Sequence, residues 1–148
     1  MNDDLLALKN QLCFPLYACA KEIVRAYQPL LDPLNLTYTQ YIVMMVLWEH
    51  KQMNVKCLGE YLYLDSGTLT PLLRKMEAKG FLTRERSKAD ERTVIITITE
   101  EGEALHEKAL SVPREMAKRV HLTEEEFETM YRLLYKMLAQ LTKREQKV

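Results

Sequence analysis

Three thiols, Cys13, Cys19 and Cys57, give this 148-residue chain its capacity for redox or nucleophilic chemistry. A thiolate attacks a peroxide to give a sulfenic acid, which then condenses with a second thiol. The three cysteines form no C-x-x-C pair. Their odd number, with no secretory signal in the acidic stretch Met1 to Asn10, fits a reducing, cytoplasmic setting. Other chemistries lack their residues. His50, His106 and His121 are far apart and show no metal-ligand spacing. Gly59, Gly67, Gly80 and Gly102 compose no phosphate loop or dinucleotide fingerprint. No metal, cofactor or catalytic constellation is expected. The longest apolar run, Tyr41 to Trp48, is far short of a membrane span, so no membrane partner is expected either.

The elements that must position these thiols follow from hydrophobic periodicity. Leu5 to Tyr27 reads as one long helix in which Leu12, Leu16, Cys19, Ile23 and Ala26 share a face. Pro15 should kink it. If the helix effectively restarts at that proline, Cys13 lies beside a helix N-terminus, whose partial positive charge favours an anion. Cys19 is six residues on, about 240° round the helix, and reads as core; Cys57 reads as core or partly exposed. Pro29 and Pro33 end the pattern, leaving Gln28 to Asn35 as a loop. Thr37 and Gln40 then form a capping box for a helix running to about Glu49, apolar almost all round and therefore central.

A short helix, Val55 to Leu62, is followed by a turn and a second helix with Leu69, Leu72, Leu73 and Met76 on one stripe and Gly80 as its stop. Pro71 leaves two starts open: Thr70 as cap with Pro71 first in the helix, or a start at Asp65 or Ser66. Two strands, Leu82 to Arg86 and Thr93 to Thr99, flank a polar hairpin tip at 87–92. Thr99 caps a helix to about Arg119, kinked at Pro113. Thr123 and Glu126 box the start of a last amphipathic helix, and the tail from Lys143 should fray. The fold class is mainly α with a small β-hairpin (α+β), one domain over 1–148, whose middle third is a helix-turn-helix followed by a two-stranded wing.

Charge sharpens this order. The chain has 21 basic and 21 acidic side chains, so bulk attraction to nucleic acid is excluded. Residues 51–92, however, hold nine basic against six acidic side chains, between two acidic flanks. A local basic patch on a winged helix predicts DNA binding. Thr68, Thr70, Arg74 and Lys75, with Ser66 at the helix start, are placed to reach a major groove. Arg92 is placed to enter a minor groove with Asp90 orienting it, and Arg86 and Lys88 to meet phosphates.

The motifs also carry a family resemblance. Asp90-x-Arg92 followed by ITITEEG, with LYLDSGTLTPLLRKMEAKG at 62–80, resembles the MarR family of winged-helix regulators. QLCFPLY at 11–17 and LTYTQYIVMMVLWEH at 36–50 resemble its OhrR branch of organic-hydroperoxide sensors, similar also to the MgrA and SarZ redox regulators. The resemblance implies a homodimer built through residues 1–36 and 100–148, with 37–99 as the winged helix-turn-helix. It implies a palindromic operator bound when Cys13 is reduced and released on its oxidation, and a recognition helix starting near Ser66. Tyr27 and Tyr38 match the pair that hydrogen-bonds the sulfur from the partner subunit, and Tyr17 another pocket position. With no cysteine after Cys57, it also implies the one-cysteine type, in which a low-molecular-weight thiol caps the oxidised sulfur. A MarR-type regulator released by a phenolic ligand, a global redox regulator and, remotely, a thiol peroxidase remain open.

Overall fold

The computed structural model describes residues 3–143. The helix that carries Cys13 starts at that residue. Helix α1 is Cys13–Leu31, preceded by two 3-10 turns, Asp3–Leu6 and Leu8–Asn10. Pro15 therefore sits in the first turn, where a backbone N–H has no helical partner to lose, and the expected kink does not occur. The other end also corrects the sequence reading. Pro29 is tolerated inside the last turn, and α1 continues to Leu31 before a 3-10 turn, Asp32–Leu34, and left-handed Asn35 (φ 55°).

Helix α2, Tyr38–His50, has the expected capping box: the Gln40 N–H donates to Thr37 Oγ1 (3.3 Å), and the Thr37 N–H donates to Gln40 Oε1 (3.1 Å). Val43, Met44 and Leu47 of this helix are fully buried. A short strand β1, Gln52–Asn54, follows and went unanticipated, because three polar-to-apolar residues carry no period. Helix α3, Val55–Leu62, is capped by Asn54, which accepts the Cys57 N–H at 2.7 Å. Helix α4, Ser66–Ala78, is capped by Asp65, which accepts the Thr68 N–H at 2.7 Å. The earlier of the two possible starts is thus the real one, and Pro71 lies within the helix. Gly80, at φ 83°, stops it as expected.

The turn between α3 and α4 is tight. Tyr63 is left-handed (φ 56°), and the Gly59 carbonyl accepts the N–H groups of Tyr63 and Leu64. A Cβ on Gly59 would lie 2.6 Å from the Leu64 carbonyl oxygen and 3.1 Å from Leu69 Cδ1. Strands β2, Leu82–Arg86, and β3, Val94–Ile98, form the wing with Leu82 opposite Ile98 and Arg86 opposite Val94. β1 adds to the far edge, giving a three-stranded antiparallel sheet in the order β1-β3-β2. Beyond it, α5 (Glu100–Ala109) and α6 (Ser111–Ala117) replace the single kinked helix of the sequence reading. The break falls at Leu110 because Pro113 has no N–H to give the Ala109 carbonyl one turn back. Helix α7, Glu124–Thr142, starts at its predicted capping box. The expected fraying of the tail concerns residues 144–148, which lie outside the described part. No helix among the described residues is long and apolar enough to cross a membrane.

The Gly59 contact is with backbone, which cannot move aside cheaply. Gly59→Ala should destabilise the fold by about 1–3 kcal/mol, read as a shift of the urea unfolding midpoint at unchanged slope.

Candidate functional site

Helix α4 and the wing face each other across a groove of about 680 Å³, with Lys56, Ser66, Thr70, Arg74, Arg86 and Arg92 among its walls. Five of the sequence-predicted residues on α4, namely Ser66, Thr68, Thr70, Arg74 and Lys75, are exposed. Their hydroxyls are partly committed. Thr70 Oγ1 donates to the Ser66 carbonyl at 2.8 Å, leaving its lone pairs and methyl outward. The backbone N–H and hydroxyl of Thr68 hold the Asp65 carboxyl below its ordinary range. At the hairpin tip, Asp90 Oδ1 accepts the Arg92 N–H at 3.0 Å and lies 3.7 Å from Nε. The guanidinium itself projects into solvent, 95% exposed. Arg86 donates to the Glu91 carbonyl at 2.8 Å, and Lys88 is exposed at the tip.

Other basic residues of the middle segment are held in ion pairs. Arg84 donates to Glu77 through its backbone N–H (2.8 Å) and its guanidinium (3.1 and 3.3 Å), which holds the Glu77 carboxyl below its usual range. Lys51 pairs with Glu103 at 2.7 Å. The basic side chains lining the groove are Lys56, Arg74, Arg84, Arg86 and Arg92, while Lys75 and Lys88 are exposed on α4 and at the hairpin tip.

The predicted thiol pocket is split into two halves. Cys13 is exposed at the start of α1, with exposed Tyr17 one turn on, its ring 5.3 Å from the Lys21 ammonium. Tyr27 and Tyr38 do meet, with ring centroids 4.9 Å apart. Cys13 and Tyr27 are fourteen residues apart on one helix, however, which sets them about 21 Å apart along its axis. A third ring, Tyr41, joins the pair at 5.9 and 6.4 Å. Sequence reasoning missed it, although its position three residues after Tyr38 puts both on one helical face. Burial pushes the phenols of Tyr27, Tyr38 and Tyr41 above the usual tyrosine value, and neighbouring phenols add to this for Tyr27 and Tyr41. All three stay protonated and available as donors near neutral pH.

Cys19 corrects the sequence reading. It is exposed, and it lines an apolar groove of about 760 Å³ with Leu12 and Leu16 on one side and Met130 and Leu133 on the other. Its face is apolar, but nothing among the described residues covers it. Cys57 is half-buried. The two longest helices share this condition: α7 buries none of its residues and α1 only Leu31.

Comparison with known proteins places this geometry. Residues 25–109 match the family model described as transcriptional regulator SarA/Rot. The chain is 48% identical over 138 residues to the organic hydroperoxide resistance transcriptional regulator of Bacillus subtilis, covering 93% of this chain and 94% of that one. It is 41% identical to the HTH-type transcriptional regulator SarZ of Staphylococcus aureus over 80% of each. Reduced AbfR of Staphylococcus epidermidis, solved bound to DNA, superposes with a TM-score of 0.80 at 32% identity, covering 96% of this chain and 99% of that one.

The raised tyrosines make a pH prediction. The folded state holds these phenolic protons more tightly than the unfolded state. The stability this represents is present below about pH 10 and is lost as pH rises beyond it. Denaturant midpoints should fall above pH 10, and the fall should be shallower in Tyr38→Phe.

Proposed function

The chain belongs to the SarA/Rot and MarR/OhrR-type family of winged-helix transcriptional regulators, and from that premise we propose that it is a homodimeric, cytoplasmic repressor whose grip on a palindromic operator is released by oxidation of Cys13. The observation that carries the reading is the split pocket. Cys13 and the Tyr27–Tyr38 pair lie at opposite ends of α1, and that helix runs beside apolar surface left uncovered by its own chain. A second copy related by a two-fold axis across α1 brings each Cys13 to the other subunit's tyrosines and buries Leu12, Leu16, Met130 and Leu133. Residues 1–36 and 100–148 are then the dimerisation parts, and 37–99 the DNA-binding part.

On DNA, α4 enters the major groove with Ser66, Thr68, Thr70, Arg74 and Lys75 toward bases and phosphates. The wing sets Arg92, braced by Asp90, into the adjacent minor groove, while Arg86 and Lys88 meet phosphates. In the sensing step the Cys13 thiolate attacks an organic hydroperoxide. The O–O bond breaks, the alcohol leaves and the sulfur, losing two electrons, becomes a sulfenic acid. A low-molecular-weight thiol then condenses with it, forming a mixed disulfide and releasing water. Phenol donors beside the sulfur stabilise the thiolate, and Tyr17 lines the same pocket. The bulky adduct at a packed dimer seam disfavours the arrangement in which both recognition helices fit the operator. The sulfur acts once per event as a switch; the chain is a regulator rather than an enzyme, with no membrane partner.

Binding of operator DNA, followed by fluorescence anisotropy, should weaken about ten- to hundredfold after stoichiometric organic hydroperoxide and small thiol. Cys13→Ser should keep its affinity under the same treatment. A Cys13→Ser protein that still releases DNA on oxidation overturns thiol sensing, and release of that variant by a phenol alone favours a ligand-responsive regulator. Arg86→Ala should lower the slope of log affinity against log salt by about one. Arg92→Ala should cost about 1–3 kcal/mol and relax base preference where the wing lands.

A further inference from the structure

Lys79, the residue just past the last turn of α4, reaches away from the α4–wing groove. Its ammonium donates to the Asn35 carbonyl at 2.7 Å and to Gln40 Oε1 at 2.8 Å. That Gln40 oxygen also accepts the Thr37 N–H, closing the capping box of α2, and Gln40 is only 3% exposed. Asn35 is left-handed, with its own N–H bonded to the Asp32 carbonyl at 2.9 Å. One ammonium therefore holds both sides of the short segment 35–40, and Tyr38 lies inside that segment. Burial lowers the proton affinity of Lys79, with the nearby charge of Lys75 adding to this, as suits an amino group drawn off the surface. Two residues back, Glu77 ties the same end of α4 to Arg84 of the wing. The C-terminal turn of α4 is thus held from two sides, one leading to the wing and the other to the tyrosine cluster.

We propose that Lys79 is a positioning residue that couples the turn bearing Tyr38 to the recognition helix, so that a shift of Tyr38 is handed to α4 through its ammonium. This deepens the redox reading above and rests on it. The link is polar and directional, with two acceptors fixed by a capping box and a left-handed residue. Apolar contacts elsewhere between α2 and α4 permit sliding that this link resists.

The test compares operator binding by the full-length protein and by Lys79→Met, reduced and after organic hydroperoxide with a small thiol. Intact mass confirms equal modification of Cys13. Lys79→Met keeps the apolar stem and removes the donors. Its reduced affinity should stay within about threefold of the parent with an unchanged salt slope, while the ratio of oxidised to reduced Kd falls about tenfold. Lys79→Arg, which keeps charge and donors, should restore the parent ratio. A Lys79→Met protein released by the parent factor overturns the coupling, and a salt slope lowered by about one marks Lys79 instead as a phosphate contact and also overturns it. Hydrogen exchange on the unsubstituted protein decides the matter if the variant fails to fold. Amides of 36–41 and 76–80 should change protection together on oxidation, and a change in the first alone overturns the proposal. A parent protein whose binding ignores oxidation sinks the underlying sensing reading and the coupling with it, and that failure is recorded on the parent arm alone.

Discussion

Helix α2 buries all but a narrow stripe that includes Met45 and Glu49, and the rest of the chain is arranged to satisfy that constraint. Gln40, Tyr41, Val43, Met44, Val46 and Leu47 are all buried along its thirteen residues. Each large apolar side chain so enclosed contributes about 1.5–3 kcal/mol, and enclosing so much of one helix takes more than one neighbour. Helices α1, α3, α4 and α5 and strands β1 and β3 all pack on it. The contact with α5 is close: the Trp48 indole N–H donates to the Gly102 carbonyl at 2.9 Å, and a Cβ on Gly102 would lie 3.2 Å from Met44 Cε. A helix that must be wrapped in this way becomes the common reference for the tyrosines at its start and the winged helix beside it.

The charge distribution follows the same division between inside and outside. An equal count of acids and bases says little until the partners of each are known. Arg84, Lys51 and Lys79 hold strands, loops and helix ends together, while Lys56, Arg74, Arg86 and Arg92 line one groove beside Arg84. Pairs that stay largely in water, such as Lys51–Glu103, contribute little stability individually. The worth of the Arg84 and Lys79 links lies in fixing where α4 ends and how the wing stands against it. The acidic first turns of α5 and α7, Glu100–Glu101 and Glu124–Glu126, suit the positive ends of their own helices and keep the other faces from attracting a polyanion.

What the sequence disclosed was whatever is encoded locally. The boxes at Thr37–Gln40 and Thr123–Glu126, the stop at Gly80 and the β-branched strand 94–98 each depend on residues within one turn or one strand of each other. The prolines were misjudged by about a turn because a proline breaks a helix only where its N–H is needed. Pro15 sits where no partner is lost, Pro29 is held in a last turn, and Pro113 acts on the carbonyl of Ala109 rather than at its own position. β1 exists because β3 offers an edge to Met53, which no local pattern announces. Cys19 was misread for another reason. Its apolar surroundings are genuine, but no described part of the chain covers them. Motif resemblance supplied the pairing of Tyr27 with Tyr38 and the start of α4, where periodicity alone left both undetermined.

The separation of Cys13 from Tyr27 along α1 has a genetic consequence. In the proposed dimer each pocket is composite, with its sulfur from one chain and its phenols from the other. A chain without the thiol and a chain without the tyrosines are each blind to oxidant as a homodimer. Co-expressed, they form mixed dimers in which one pocket is doubly defective and the other is whole. Two variants that each fail to sense as homodimers would therefore regain one working pocket in the mixed dimer, an outcome excluded for a sensor whose parts all lie within one subunit.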